Sequence, residues 1–178
     1  MIDIERRRKL AYHLRQLSNG QISNDDFEER VMDDVTFGSL PEQYYRSERC
    51  KDDDSVIRPI LEMSWTLYDD TRNHKLNGSD ALSEYAIKEI ARYILFLQSN
   101  QKYDWDYVDM TNPIIRFSFK DILKSIMTLG EHYRQLKLTR EEEYERMKKE
   151  GDFEYWPFKT KADFEQQLSR QPFLVGTN

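Results

Sequence analysis

One cysteine, three histidines, five prolines and six glycines are spread through 178 residues, and each shortage removes a class of chemistry. With Cys50 alone, no internal disulfide can form and no second thiol is on hand for a zinc knuckle. Cys50 stands in "RSERCKDDD", between basic residues that favour a thiolate and acids that oppose it, with no CxxC around it. So few glycines leave no phosphate-cradling loop or dinucleotide turn, and no GxSxG elbow is present. His13, His74 and His132 form no HxxxH or HExxH pair, so no metal-binding helix is encoded and no metal or other cofactor is expected. The longest aliphatic and phenyl run, "ILFL" at 94–97, is far too short to span a bilayer. "MIDIERRRKLAYHL" carries a basic cluster with no apolar stretch behind it, so a secretory leader is not expected and a cytoplasmic location is.

What is present is charge and aromatic mass. Charged residues make up 34% of the chain and aromatics 13%, a combination that predicts a well-solvated exterior around a real core. Acids outnumber bases by 33 to 27, for a net charge of −6, which argues against nucleic acid as a ligand. The one basic block, Arg6-Arg7-Arg8-Lys9, opens an amphipathic helix and reads as a solvated face. Asp104, Asp106 and Asp109 alternate as calcium ligands do, but the turn glycine and closing glutamate of such a loop are missing. Asp52-Asp53-Asp54 precedes a predicted helix, where the helix dipole favours acids.

Helical periodicity runs through most of the chain. Leu10, Leu14 and Leu17 mark a first helix that ends near Ser18, with Gly20 as its stop. Ser23 and Asp26 compose a capping box for the second, and Ile22 can staple onto Phe27. Residues 1–34 therefore read as a helical hairpin. Residues 35–55 lack a sustained period and form a long connector, a candidate for packed irregular structure or for function. A helix is predicted from about Ser55 to Lys75, with Pro59 in its first turn. A central helix over 80–98 carries Leu82, Ala86, Ile90, Ile94 and Leu97, widened by Ile87, Ala91 and Leu95. Another, from about Ser118, bears Ile122, Leu123, Ile126, Leu129 and Tyr133. Thr139 and Glu142 suggest the cap of a polar helix ending at Gly151, and Thr160 caps the last.

Two sets of residues resemble known sequence groups. "LRQLSNGQISNDDFEERV" is similar to the short C-terminal domain (SHOCT) pattern of bacterial proteins, a leucine-bearing helix followed by G-x-I-[ST]-x-x-[DE]-[FY]. That resemblance covers about 25 residues and implies a protein-contact or oligomerisation element. "YILFLQSNQKYDWD" with "GDFEYWPF" looks like a group of uncharacterised bacterial proteins sharing the phrases LFLxSxxxYxW and GDxxxWPF. This second likeness implies one bacterial domain and no particular activity.

The aromatic clusters rise above background. Tyr103, Trp105 and Tyr107 alternate with aspartates, and Tyr155, Trp156 and Phe158 lie with Phe153 beside Pro157. As anchors they would close a core over two long connections, with Trp156 the deepest. As a surface, those six residues would take a basic protein, a cationic ligand or a sugar. Alternation at 103–107 and 153–156 also allows a small two-stranded pairing.

The expected architecture is mainly α: a single-domain bundle of six or seven helices over 1–178, with the hairpin 1–34, the connector 35–55 and a helical body 56–178. The expected function is protein interaction, of the adaptor or immunity-protein kind, with another protein of basic character as partner, or with a second copy in a homodimer through the hairpin. No nucleic acid and no membrane is expected as partner. The alternative is an enzyme or small-ligand receptor whose pocket is assembled from distant helices.

Overall fold

The computed structural model describes residues 1–51, 53–105, 127–128 and 130–170. Eight α-helices lie among them: α1 (Ile4–Ser18), α2 (Asn24–Asp34), α3 (Pro41–Arg46), α4 (Glu48–Lys51), α5 (Ile57–Ser64), α6 (Glu84–Leu97), α7 (Glu131–Glu150) and α8 (Lys161–Arg170). The fold is mainly α, as the periodicity predicts. The count exceeds six or seven because the connector 35–55 itself folds into α3 and α4.

The N-terminal hairpin forms as its capping residues dictate. Gly20 takes a left-handed φ of 63° between α1 and α2, a region where a side chain would be strained. The Ser23 side chain accepts the Asp26 N–H while the Asp26 carboxylate accepts the Ser23 N–H, so both halves of the capping box are made. Ile22 and Phe27 are both buried. α1 packs on α6 and on α2, burying Leu10, Ala11, Leu14 and Leu17 against Ile90, Ile94 and Leu97 in one hydrophobic cluster that extends to Phe158.

Several expected helices have different bounds. The helix predicted from Ser55 to Lys75 stops at Ser64, followed by a 3-10 turn over Trp65–Leu67, and Tyr68 is extended. Pro59 falls in the first turn of α5, where its missing N–H costs nothing. Local bonds explain the break: the Asp69 carboxylate accepts both the N–H and the hydroxyl of Thr71, an Asx-type turn that competes with helix. The chain then returns to α2. Asn24 clamps it there, accepting the His74 N–H at 2.7 Å and donating its side-chain amide to the Arg72 carbonyl at 3.0 Å. Beside this clamp Ser23 and Lys75 make an isolated antiparallel bridge. His74 is therefore in a loop, not at a helix end.

α6 begins at its Ser83 cap rather than at residue 80. Its buried face is Ile90, Tyr93, Ile94, Leu95, Phe96 and Leu97, whereas Ile87 and Ala91 are exposed. Residues 118–126, predicted to be helical, lie outside the described residues. Thr139 starts no new helix: α7 runs unbroken from Glu131 to Glu150, and the Thr139 hydroxyl donates back to the Gln135 carbonyl within it. α7 is laced with ion pairs such as Lys137–Glu141 and Arg146–Glu150, and none of its described side chains is buried.

Candidate functional site

The aromatic residues singled out from the sequence are brought together, and they are brought inside. Phe158 is 0% exposed, Trp156 3%, Trp105 5% and Tyr103 6%. Phe158, not Trp156, packs deepest, edge-on to Phe96 with centroids 5.0 Å apart. The Trp156 indole N–H donates to the Tyr103 hydroxyl at 3.1 Å, and its ring meets Tyr93 edge-on at 5.1 Å. The Trp105 N–H reaches the carbonyls of Pro157 and Phe158. Both indole donors are thus satisfied in the core, as buried tryptophans require.

Tyr155 is half-buried and tilted against Phe164 of α8. Tyr107 lies outside the described residues. Four of the six proposed surface residues are therefore core anchors, and burial pushes the Tyr103 phenol up from its ordinary pKa. Among the described residues no strand pairing joins the two segments. Residues Phe153–Tyr155 form a 3-10 turn after Asp152, and the Trp156–Pro157 peptide is cis. Side-chain donors hold the segments together instead, including Lys159, which donates to the Asp104 carbonyl and lies 4.5 Å over the Trp105 ring.

The basic block is only partly a solvated face: Arg8 is exposed and Lys9 half-buried, but Arg6 and Arg7 turn inward. Arg7 is 0% exposed and Arg6 7%. Arg7 forks onto Asp54, with Nε to Oδ2 at 2.6 Å and a terminal nitrogen to Oδ1 at 2.8 Å, and also donates to the carbonyls of Ser99 and Gln101. Arg6 forks onto Asp53, whose carboxylate also accepts the Tyr44 hydroxyl. Burial by itself would raise the pKa of Asp53, but the bonds from Arg6, Tyr44 and the Asp54 N–H outweigh it and hold the carboxyl below its ordinary value. Asp53 and Asp54 thus supply the counter-ions that hold the connector to α1. Nearby, burial raises the pKa of the Cys50 thiol above its ordinary value, which makes it a poor nucleophile.

A concentrated acidic surface lies on the outer face of α2, which the aromatic segments had overshadowed in the sequence. This helix holds six carboxylates and one arginine. Asp26 is occupied as a cap and Glu28 accepts the Tyr68 hydroxyl. Asp25, Glu29 and Asp33 are exposed and have no side-chain partner among the described residues. The composition of "NDDFEERVMDD" was a readable signal of this face.

At the C-terminal end of α2, Asp34 binds the His13 imidazole Nε2 at 2.8 Å and Lys9 Nζ at 3.2 Å. The bond from His13, followed by that from Lys9, lowers the pKa of Asp34. These three residues help line an open groove with Ile4, Arg8 and Tyr12. No group of three or more His, Cys, Asp or Glu among the described residues could hold a metal ion, and no helix among them is long and apolar enough to cross a membrane.

No protein-family model, curated protein or solved structure matches the chain.

Proposed function

We propose that the protein is a cytoplasmic bacterial interaction module, of the adaptor or immunity kind, that engages a basic partner protein through the outer face of α2. The observation that carries this reading is the trio Asp25, Glu29 and Asp33, carboxylates without side-chain partners among the described residues, on one exposed face of α2, in a chain of net charge −6. A concentrated field of one sign steers a partner of the other and sets its orientation. Burial of the aromatic clusters moves the proposed contact from the 103–107 and 153–158 segments to α2. The acidic part of the expected surface is kept and its aromatic part is given up.

The test is capture of a binding protein from the native host's lysate by the full chain, repeated across a salt series and with Asp25→Asn/Glu29→Gln/Asp33→Asn. Capture of a basic protein that weakens with salt and drops at least tenfold in the triple variant is expected. A partner held equally well by both proteins and at every ionic strength overturns the reading.

A further inference from the structure

We infer that Asn77–Gly78 is a site of spontaneous covalent modification, at which the Asn77 side chain is converted through a succinimide to aspartate and isoaspartate. The chain holds two Asn–Gly pairs, Asn19–Gly20 and Asn77–Gly78. Glycine leaves the backbone nitrogen after an asparagine open to approach, because it has no Cβ. The fold treats the two pairs differently. Gly20 is buried, and its N–H donates to the Leu17 carbonyl at 2.9 Å. Asn77 and Gly78 are both exposed, and neither the Gly78 N–H nor the Asn77 side-chain amide has a hydrogen-bond partner among the described residues. Backbone dihedrals point the same way. At Asn77 a ψ of 170° sets the Gly78 nitrogen gauche to Cβ, whereas at Asn19 a ψ of 5° turns the Gly20 nitrogen away from it. A Cβ built at Gly78 would meet nothing within 4 Å, so this turn stands in open space.

The conversion needs water and no other reactant. The Gly78 backbone nitrogen attacks Asn77 Cγ, and the proton it gives up leaves with the side-chain nitrogen as ammonia. One C–N bond forms and one breaks, with no change in oxidation state. Water then opens the five-membered imide at either carbonyl. Attack at Cγ restores the main chain and leaves aspartate; attack at the backbone carbonyl carbon leaves isoaspartate, with the main chain running through the side chain. Either product adds a negative charge two residues from Lys75, whose ammonium donates to the Gln21 carbonyl at 2.9 Å. Asn77 also packs at the tip of the hairpin, where a Cβ on Gly20 would lie 3.2 Å from the Asn77 Cβ. The change therefore falls where the segment clamped by Asn24 meets the α1–α2 turn.

The test is incubation of the full chain at mildly alkaline pH, folded and in urea, in water enriched in heavy oxygen, followed by tryptic peptide mapping. The peptides 76–88 and 16–30 report the two sites separately, and fragmentation places the change within each. In the folded chain, exchange of amide for acid should be at least about tenfold faster at Asn77 than at Asn19, which must first open its turn. In urea the two rates should converge. Isoaspartyl methyltransferase should label the 76–88 peptide, because only the imide route produces isoaspartate. A folded chain in which Asn77 reacts no faster than Asn19 overturns the inference, as does aspartate at 77 without isoaspartate. An advantage of Asn77 that persists in urea overturns the part given to the fold.

Discussion

Arg7 shows why a buried charge has to be over-determined. Its guanidinium makes four bonds, two to Asp54 and one each to Ser99 and Gln101, a planar arrangement that a lysine ammonium could not match. Arg6 stacks 4.2 Å over the Phe37 ring, and Phe37 is the one non-glycine described residue with a positive φ, at 60°. A bulky residue in that region is strained, and its neighbours must hold it there. The pair most accessible to experiment is Arg6–Asp53. Asp53→Asn removes the charge opposite a nearly buried arginine and should cost about 3 kcal/mol of stability at neutral pH, measured by urea denaturation. The sign of the pH effect follows from the lowered folded-state pKa of Asp53. Its stabilisation is complete above the ordinary carboxylate range and is lost as pH falls below about 4 and through the depressed folded value. The wild type should therefore lose its advantage over the variant on acidification through that window. An unchanged stability difference between neutral pH and pH 2 would refute the role given to the ion pair.

Backbone approach decides as much as side-chain chemistry at the level of elements. Gly151 ends α7 with an extended φ of −171°, so conformational freedom is not the reason for glycine there. Space is the reason: a Cβ at 151 would stand 2.6 Å from the Lys159 carbonyl oxygen and 3.0 Å from the Trp105 ring. The Asp152 N–H donates to that same carbonyl at 3.0 Å, closing the loop that carries the aromatic plug. Gly151→Ala should destabilise by about 1–3 kcal/mol through overpacking, with a matching fall in the midpoint of tryptophan-fluorescence unfolding. A neutral outcome would mean that the 152–159 loop moves freely relative to Trp105.

Local rules were legible at this scale where they had no rival. The Ser23–Asp26 box and the Thr160 cap, which accepts the Asp163 N–H at 3.2 Å, both form where the residues predict them. Thr139 and Glu142 fit the same pattern but lie inside a helix already under way from Glu131. A capping signature marks a permissible start, and only the preceding turn determines whether a start is needed.

Over the whole molecule, stability is concentrated in the packing of α1 against α6 and α2 and in the aromatic closure around Phe158. Among the described residues, the ion pairs of α7 run mainly along its own surface, with Glu150 also meeting Lys159. Exposed pairs of that kind contribute about 0.3–0.5 kcal/mol each. Amide hydrogen exchange should therefore be slowest in α1 and α6, through global unfolding, and orders of magnitude faster in α7 through local opening. Equal protection in α7 and α6 would show that α7 is secured by more than its own surface pairs.

By itself the sequence determined the helical class, the hairpin with its caps and the apolar stripes of α1 and α6, because these depend on neighbours within a turn or two along the chain. Composition alone also marked α2 as acidic. Tertiary structure decided the fate of the charges and of the aromatics. Arg6 and Arg7 look like surface cations until Asp53 and Asp54, 47 residues away, are folded against them. Trp105 and Trp156 look like a binding surface until Tyr103 and the Pro157 carbonyl supply their hydrogen-bond partners. Burial of a polar or amphipathic side chain depends on whether a complementary group arrives from elsewhere in the chain, and no local pattern records that arrival.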